Sequence, residues 1–267
     1  MFSTEPLVKL GVSSYTFTWA VGVPGREPAR PMDAFALLPK AAALGVHVVQ
    51  IADNLPLHRL APAELDSLGC RAAEHGIALE VGTRGTATDH LRAYLEIARC
   101  LGASLLRTVV DTADHRPEAR EVPGLLAPFV PHLKEARVHL AIENHDRFPA
   151  ATFAEIIRQV GSPWVGICLD TGNSWLGGSE PIEYVKTFGR RIKHVHWKDM
   201  GPEWIPKRST LYGCGMATIA LGDGVIDLPA IVEALQDVGF DGPTTLEIAG
   251  ADNVKKSIER LRKWNAS

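Results

Sequence analysis

Short apolar runs alternate with longer amphipathic ones along almost the whole chain. LVKLGVSS (7–14), VHVVQIA (46–52), IALEVG (77–82), SLLRTVV (104–110), RVHLAIE (137–143), WVGICLD (164–170), IKHVHW (192–197) and TTLEIAG (244–250) each predict a buried strand. Between them, helical periodicity predicts helices over 32–45, 61–76, 87–102, 123–137, 151–161, 180–189, the second part of 221–239, and 253–264. Pro39 interrupts the first of these and predicts a kink or two shorter pieces. Eight strand–helix units with no break in composition point to one domain, a closed (β/α)8 TIM barrel, rather than an open doubly wound sheet. The first strand is not followed by a dinucleotide-binding glycine fingerprint, and no phosphate-binding P-loop motif occurs. GTRG (82–85) is too short to cradle phosphate and reads as a turn, with Arg84 as an anion contact.

The strand ends carry the chemistry. In IKHVHWKD (192–199), His194 and His196 lie two residues apart and so share one side of a strand. Strands five, six and eight end in or carry Glu143, Asp170 and Glu247. A parallel barrel opens all these ends onto one face, where barrel enzymes place their active sites. Three carboxylates gathered there need a counter-charge, and three oxygen donors with one imidazole suit a divalent cation of hard to borderline character.

Composition changes little in this picture. A net charge of −3 over 267 residues, with 46% hydrophobic and 22% charged residues, fits a soluble globular protein and offers no basic surface for nucleic acid. Cys70, Cys100, Cys168 and Cys214 lack C-x-x-C spacing and read as reduced, buried thiols. With neither a secretory leader pattern nor an apolar run long enough to span a bilayer, a cytoplasmic location without membrane partners is the expectation.

From GVSSYTFTWAVG (11–22) through AIENH (141–145), LDTGN (169–173) and HVHWKD (194–199) to LGDGVIDL (221–228) and TLEIAG (245–250), the chain resembles the sugar phosphate isomerase/epimerase family of xylose-isomerase-like barrels. The resemblance implies one divalent metal held by Glu143, Asp170, His196 and Glu247. Manganese is the expected ion, with Mg2+, Co2+ or Zn2+ as substitutes. It selects His196 over His194 as the ligand and leaves His194 a supporting role. In the family's epimerases, the residues matching Glu143 and Glu247 are also the acid/base pair, which implies proton abstraction beside a carbonyl through an enediolate. His145 matches a position that faces substrate. Asn173 stands where many relatives have a histidine, and this departure weighs against a ketose 3-epimerase.

Further substrate contacts are expected from Lys198, from Lys207 and Arg208 in the long loop after strand seven, from Tyr15 and Trp19 at the barrel mouth, and from Gln50, with Asp53 and Asn54 just beyond it. The leading expectation is a metal-dependent isomerase or epimerase acting on a sugar or keto-polyol. A lyase using the same chemistry, as in inosose dehydration or cleavage of a 3-keto C-glycoside, is the close alternative. An apurinic-site endonuclease and a non-catalytic sugar-binding barrel are more distant ones. Nothing in the sequence excludes a homo-oligomer.

Overall fold

A computed structural model of the chain describes residues 9–145, 147–202 and 216–266. Ten strands lie in these residues: β1 (Lys9–Ser13), β2 (Val48–Ile51), β3 (Ala78–Arg84), β4 (Leu105–Val109), β5 (His139–Glu143), β6 (Val165–Asp170), β7 (Ile192–Trp197), β8 (Asp199–Pro202), β9 (Met216–Ile219) and β10 (Pro243–Leu246). Eight of them close into a parallel barrel in the order β1-β10-β7-β6-β5-β4-β3-β2, with helices in the connections, while β8 and β9 pair as a separate antiparallel ribbon. The chain is thus a (β/α)8 barrel. None of its described helices is long and apolar enough to cross a membrane.

Period-two alternation sorts each strand into two faces. Outward residues such as Val49, Val81, Leu106, Ile142, Ile167, Leu169, Val195 and Trp197 join one large apolar cluster with the surrounding helices. The barrel's interior is different. Leu105, Ala141 and Cys168 form a small apolar plug. Around and beyond it stand Gln50, Glu80, Arg107, Glu143, Asp170, His194, His196, Thr245 and Glu247, all buried. A barrel filled with so many polar groups has to satisfy them internally, and that requirement shapes the site described below.

Pro39 does not break its helix, which runs unbroken over Ala34–Ala43. The proline lies on the solvent-exposed side, so water can satisfy the carbonyl it frees. The helix expected over 123–137 is instead segmented into Val122–Leu126, a 3-10 turn Ala127–Phe129 and Val130–Ala136, with Pro128 and Pro131 at the junctions. GTRG is not a free-standing turn: β3 continues to Arg84, and the chain turns only at Gly85, whose φ of 102° suits glycine. Of the cysteines, Cys168 is buried, but Cys70 and Cys100 are exposed on helices, contrary to expectation; Cys214 lies outside the described residues.

One irregularity controls which way the histidines face. Ile167 of β6 pairs with Ile192 of β7, but the next residue, Cys168, pairs with His194. Lys193 is therefore a bulge residue. It lets Ile192 pack outward while His194 and His196 point into the barrel. The bulge crowds β6: a Cβ at Gly166 would lie 2.1 Å from the Arg191 carbonyl oxygen and 2.7 Å from Lys193 Cγ. Gly166→Ala should therefore cost about 1–3 kcal/mol in chemical denaturation. It should also weaken divalent-metal binding, because the strand that must move is the one that orients His196.

Candidate active site

His196 is the centre of the polar interior. Its Nδ1 lies 3.3 Å from Glu143 Oε2, 3.6 Å from Glu247 Oε1 and 3.7 Å from Asp170 Oδ2. Yet Nδ1 makes no hydrogen bond among the described residues, and neither does Glu247 Oε1. The four residues expected as metal ligands are thus gathered around one unsatisfied, fully buried nitrogen. Asp170, His196 and Glu247 can bring ligand atoms within 4.8 Å of one another, as can Glu143, Cys168 and His196.

Backbone and neighbouring side chains fix each ligand candidate. Asp170 caps the helix Thr171–Leu176, its Oδ1 accepting from Asn173 N at 2.8 Å, which leaves Oδ2 toward the interior. The Asn144 amide grips the Asp170 backbone on both sides, donating to its carbonyl and accepting from its N–H. Asn173 donates to Glu143 Oε1 at 3.0 Å, and Arg107 Nε donates to Glu143 Oε2 at 2.5 Å. Lys198 Nζ donates to Asp170 Oδ2 at 2.6 Å and lies 2.9 Å from Glu247 Oε2.

Gln50 decides which histidine nitrogen faces the acids. A carboxylate only accepts hydrogen bonds, so the Gln50 NH2 must be the end that meets Glu80 Oε2, at 3.0 Å. The Gln50 carbonyl oxygen is then turned toward His196 Nε2, 2.8 Å away, and can only accept from it. In the neutral ring the proton sits on Nε2, and the Nδ1 lone pair is presented to the three carboxylates. His194 lies beside this relay, with Nδ1 3.1 Å from Glu80 Oε2 and Nε2 3.0 Å from Thr245 Oγ1. Gln50, expected at the substrate, is fully buried and has both ends of its amide engaged in this network.

The charges also leave room for a cation. Five carboxylates (Asp53, Glu80, Glu143, Asp170 and Glu247) face three permanent cations (Arg84, Arg107 and Lys198) in the connected network. With the His196 ring neutral, as a metal ligand must be, two negative charges are uncompensated, which one divalent ion would match. Burial alone disfavours the imidazolium of His196, but the sulfur of Cys168 and the carboxylates of Glu247 and Glu143 outweigh it and raise its pKa well above the usual histidine range. For Glu143, Arg107 and His196 overcome the upward push of burial and hold the carboxyl well below its ordinary value. A hard or borderline cation fits this donor set, which would hold it through Glu143, Asp170, His196 and Glu247.

The remaining expected contacts are dispersed. His145 is half-buried in the loop just beyond Glu143. Tyr15 donates to Asp53 at 3.0 Å, and Ser14 to Asn54 at 2.5 Å, tying the segment after β1 to that after β2. Trp19 is 56% exposed with the Arg26 guanidinium 5.9 Å from its ring centre, and it takes no part in the network around His196. Lys207 and Arg208 lie outside the described residues. Arg107, Glu80 and Asn144 were not expected at the site. The first two are charged residues inside otherwise apolar strands, a signal present in the sequence.

With this geometry in view, the sequence matches the xylose isomerase-like TIM barrel family over residues 38–264, and the chain belongs to that family. It is 31% identical over 258 residues to a 3-oxo-isoapionate decarboxylase of Pectobacterium atrosepticum, a match spanning 97% of this chain and 87% of that enzyme. An inosose dehydratase of Lacticaseibacillus casei is 33% identical over 119 residues, spanning 41% of this chain and 40% of that enzyme. Among solved structures, a D-psicose 3-epimerase from Clostridium cellulolyticum H10 superposes with a TM-score of 0.74 at 16% identity, covering 97% of this chain and 98% of that one.

Two outcomes follow for metal binding. Because a proton and a cation compete for His196 Nδ1, affinity for Mn2+ should climb by up to about tenfold per pH unit until the imidazolium is titrated, and loading should release protons into weak buffer. Glu80→Gln and Gln50→Leu, which free or delete the relay, should each weaken Mn2+ binding about 10–100-fold in calorimetry with the fold retained.

Proposed function

We propose that the protein is a divalent-metal-dependent lyase acting on a polyhydroxylated keto compound, and that it expels CO2 from the carbon beside a carbonyl or a hydroxyl group from the carbon beyond it. The observation that carries this reading is the state of Glu143. Both its carboxylate oxygens are engaged, one by Arg107 Nε at 2.5 Å and the other by Asn173 Nδ2 at 3.0 Å. A carboxylate clamped by a guanidinium and an amide is a weak base, and isomerisation or epimerisation by two opposed carboxylates needs two effective ones. Decarboxylation of a 3-oxo acid needs no base: the breaking C–C bond supplies the electron pair. The decarboxylase related along nearly the whole chain supports the same branch.

The bound cation would supply Lewis acidity toward the substrate carbonyl. The chain's own residues do the rest. Arg107 and Asn173 hold Glu143 in one orientation, and the helix cap holds Asp170. Glu247 and the Lys198 ammonium beside its Oε2 return a proton to the carbon that has lost its substituent. The isomerase/epimerase reading keeps Glu143 and Glu247 as the acid/base pair and draws on their joint approach to His196 Nδ1.

The test is turnover in D2O on a panel of 3-oxo-aldonic acids, inososes and free ketoses, with the purified protein loaded to about one Mn2+ per chain. The lyase reading predicts loss of CO2 or water, with one deuteron entering the product, and no deuterium washing into unreacted substrate of the 3-oxo acids. Exchange into recovered ketose, with interconversion of epimers and no bond cleavage, would contradict it. Glu247→Gln should lower kcat about 100-fold or more while leaving KM within a few-fold.

A further inference from the structure

We propose that Arg84 forms an anion-binding subsite at the barrel mouth and that the substrate carries a carboxylate there. The inference rests on the lyase reading and gives it a substrate class, an oxo acid.

Because β3 continues to Arg84, the residue falls on the same face as Glu80, which reaches Gln50 and His194 inside the barrel. Gly82 lies between them, in register with Arg107 of β4. Gly82 itself packs against Ala52, just beyond β2, and Arg84 stands one step nearer the opening. The two arginines differ in how they are used. Arg107 is 2% exposed and bonds Glu143, Asp53 and the Thr83 carbonyl at 2.5–3.1 Å. Arg84 is 35% exposed, and its bonds are long: Nε to Asp53 Oδ2 at 3.4 Å and Nη1 to the Asp111 carbonyl at 3.3 Å.

A guanidinium has five N–H donors, so most of those on Arg84 meet no acceptor among the described residues. Asp53 cannot saturate it, because that carboxylate already serves Arg107 at 2.9 Å and the Tyr15 hydroxyl at 3.0 Å. The other cations nearby are committed: Lys198 to Asp170 and Glu247, and Arg147 to Asp111 and the Pro117 carbonyl. Arg84 thus keeps open donors at the mouth of a site dense in carboxylates, where an anionic substrate would otherwise meet like charge.

One planar fork suits the two oxygens of a carboxylate. Sharing Arg84 with Asp53 keeps the hold modest. A carboxylate that must leave as CO2 needs that, since tight ground-state binding would raise the barrier. The step balances without an added oxidant or reductant. The bond from the carbonyl-adjacent carbon to the carboxylate breaks, its electron pair passes into the carbonyl, CO2 departs, and the carbon takes up one proton.

The test compares the Mn2+-loaded wild type with Arg84→Gln and Arg84→Lys, each checked for fold by circular dichroism. Turnover of a 3-oxo-aldonic acid is set against that of an uncharged inosose, and malonate and inorganic phosphate are used as inhibitors. Arg84→Gln should raise KM for the acid about 10–100-fold with a smaller change in kcat, lower the acid-over-inosose preference, and abolish competitive inhibition by malonate. Arg84→Lys should restore part of each. An equal loss on acid and inosose would reduce Arg84 to a structural residue and overturn the proposal. So would Arg84-dependent inhibition by phosphate stronger than by malonate. If malonate binds through Arg84 but no oxo acid is decarboxylated, the lyase reading fails and the subsite stands. If oxo acids are decarboxylated and Arg84→Gln is indifferent, the subsite fails and the lyase reading stands.

Discussion

The structure is organised around one unsatisfied atom. His196 Nδ1 is fully buried, faces three carboxylates at 3.3–3.7 Å and bonds to none of them. An orphaned imidazole nitrogen among buried acids is costly unless a proton or a cation fills the gap. Much of the barrel interior can be understood as arranging that gap. Glu80 turns the Gln50 amide, and Gln50 turns the imidazole. Arg107, Lys198 and the helix cap at Asp170 partly balance the acids without neutralising them fully.

The fold supplies this arrangement through its regularities and one departure from them. Alternation sends the apolar residues of each strand outward to the helices, leaving the inner face to polar groups above a small plug of Leu105, Ala141 and Cys168. The departure is the bulge at Lys193. Without it, Ile192 and the two histidines would share one face of β7, and the apolar packing outside the barrel could not coexist with imidazoles inside it. Gly166 makes the bulge sterically admissible.

The eight-unit barrel was legible because its strands are short, apolar and evenly spaced, and because every strand end opens on one face. The expectation that Glu143, Asp170, His196 and Glu247 lie together came from that topology and from family resemblance, and the structure brings the three acids within 3.3–3.7 Å of His196 Nδ1. What escaped the sequence depends on contacts between distant strands. Gln50 looked like a pocket residue because a lone amide in an apolar strand is equally compatible with facing substrate or a partner, and its partners lie 30 and 146 positions away. Arg107 sits within an apolar strand pattern that gives no hint of its partner, although a buried arginine demands a carboxylate. Segmentation of the helix over 123–137 was also readable, from Pro128 and Pro131, but the periodicity masked it.

The engaged state of Glu143 and the spare donors of Arg84 together favour a site that stabilises charge more than one that shuttles protons between two bases. That preference rests on a cation occupying the gap beside His196. Anomalous diffraction from crystals of the Mn2+-loaded protein tests this most directly. The account predicts one manganese peak at bonding distance from His196 Nδ1 and from oxygens of Glu143, Asp170 and Glu247, with Gln50 still on Nε2. A peak on Nε2, or no peak with Nδ1 left unoccupied, would contradict it.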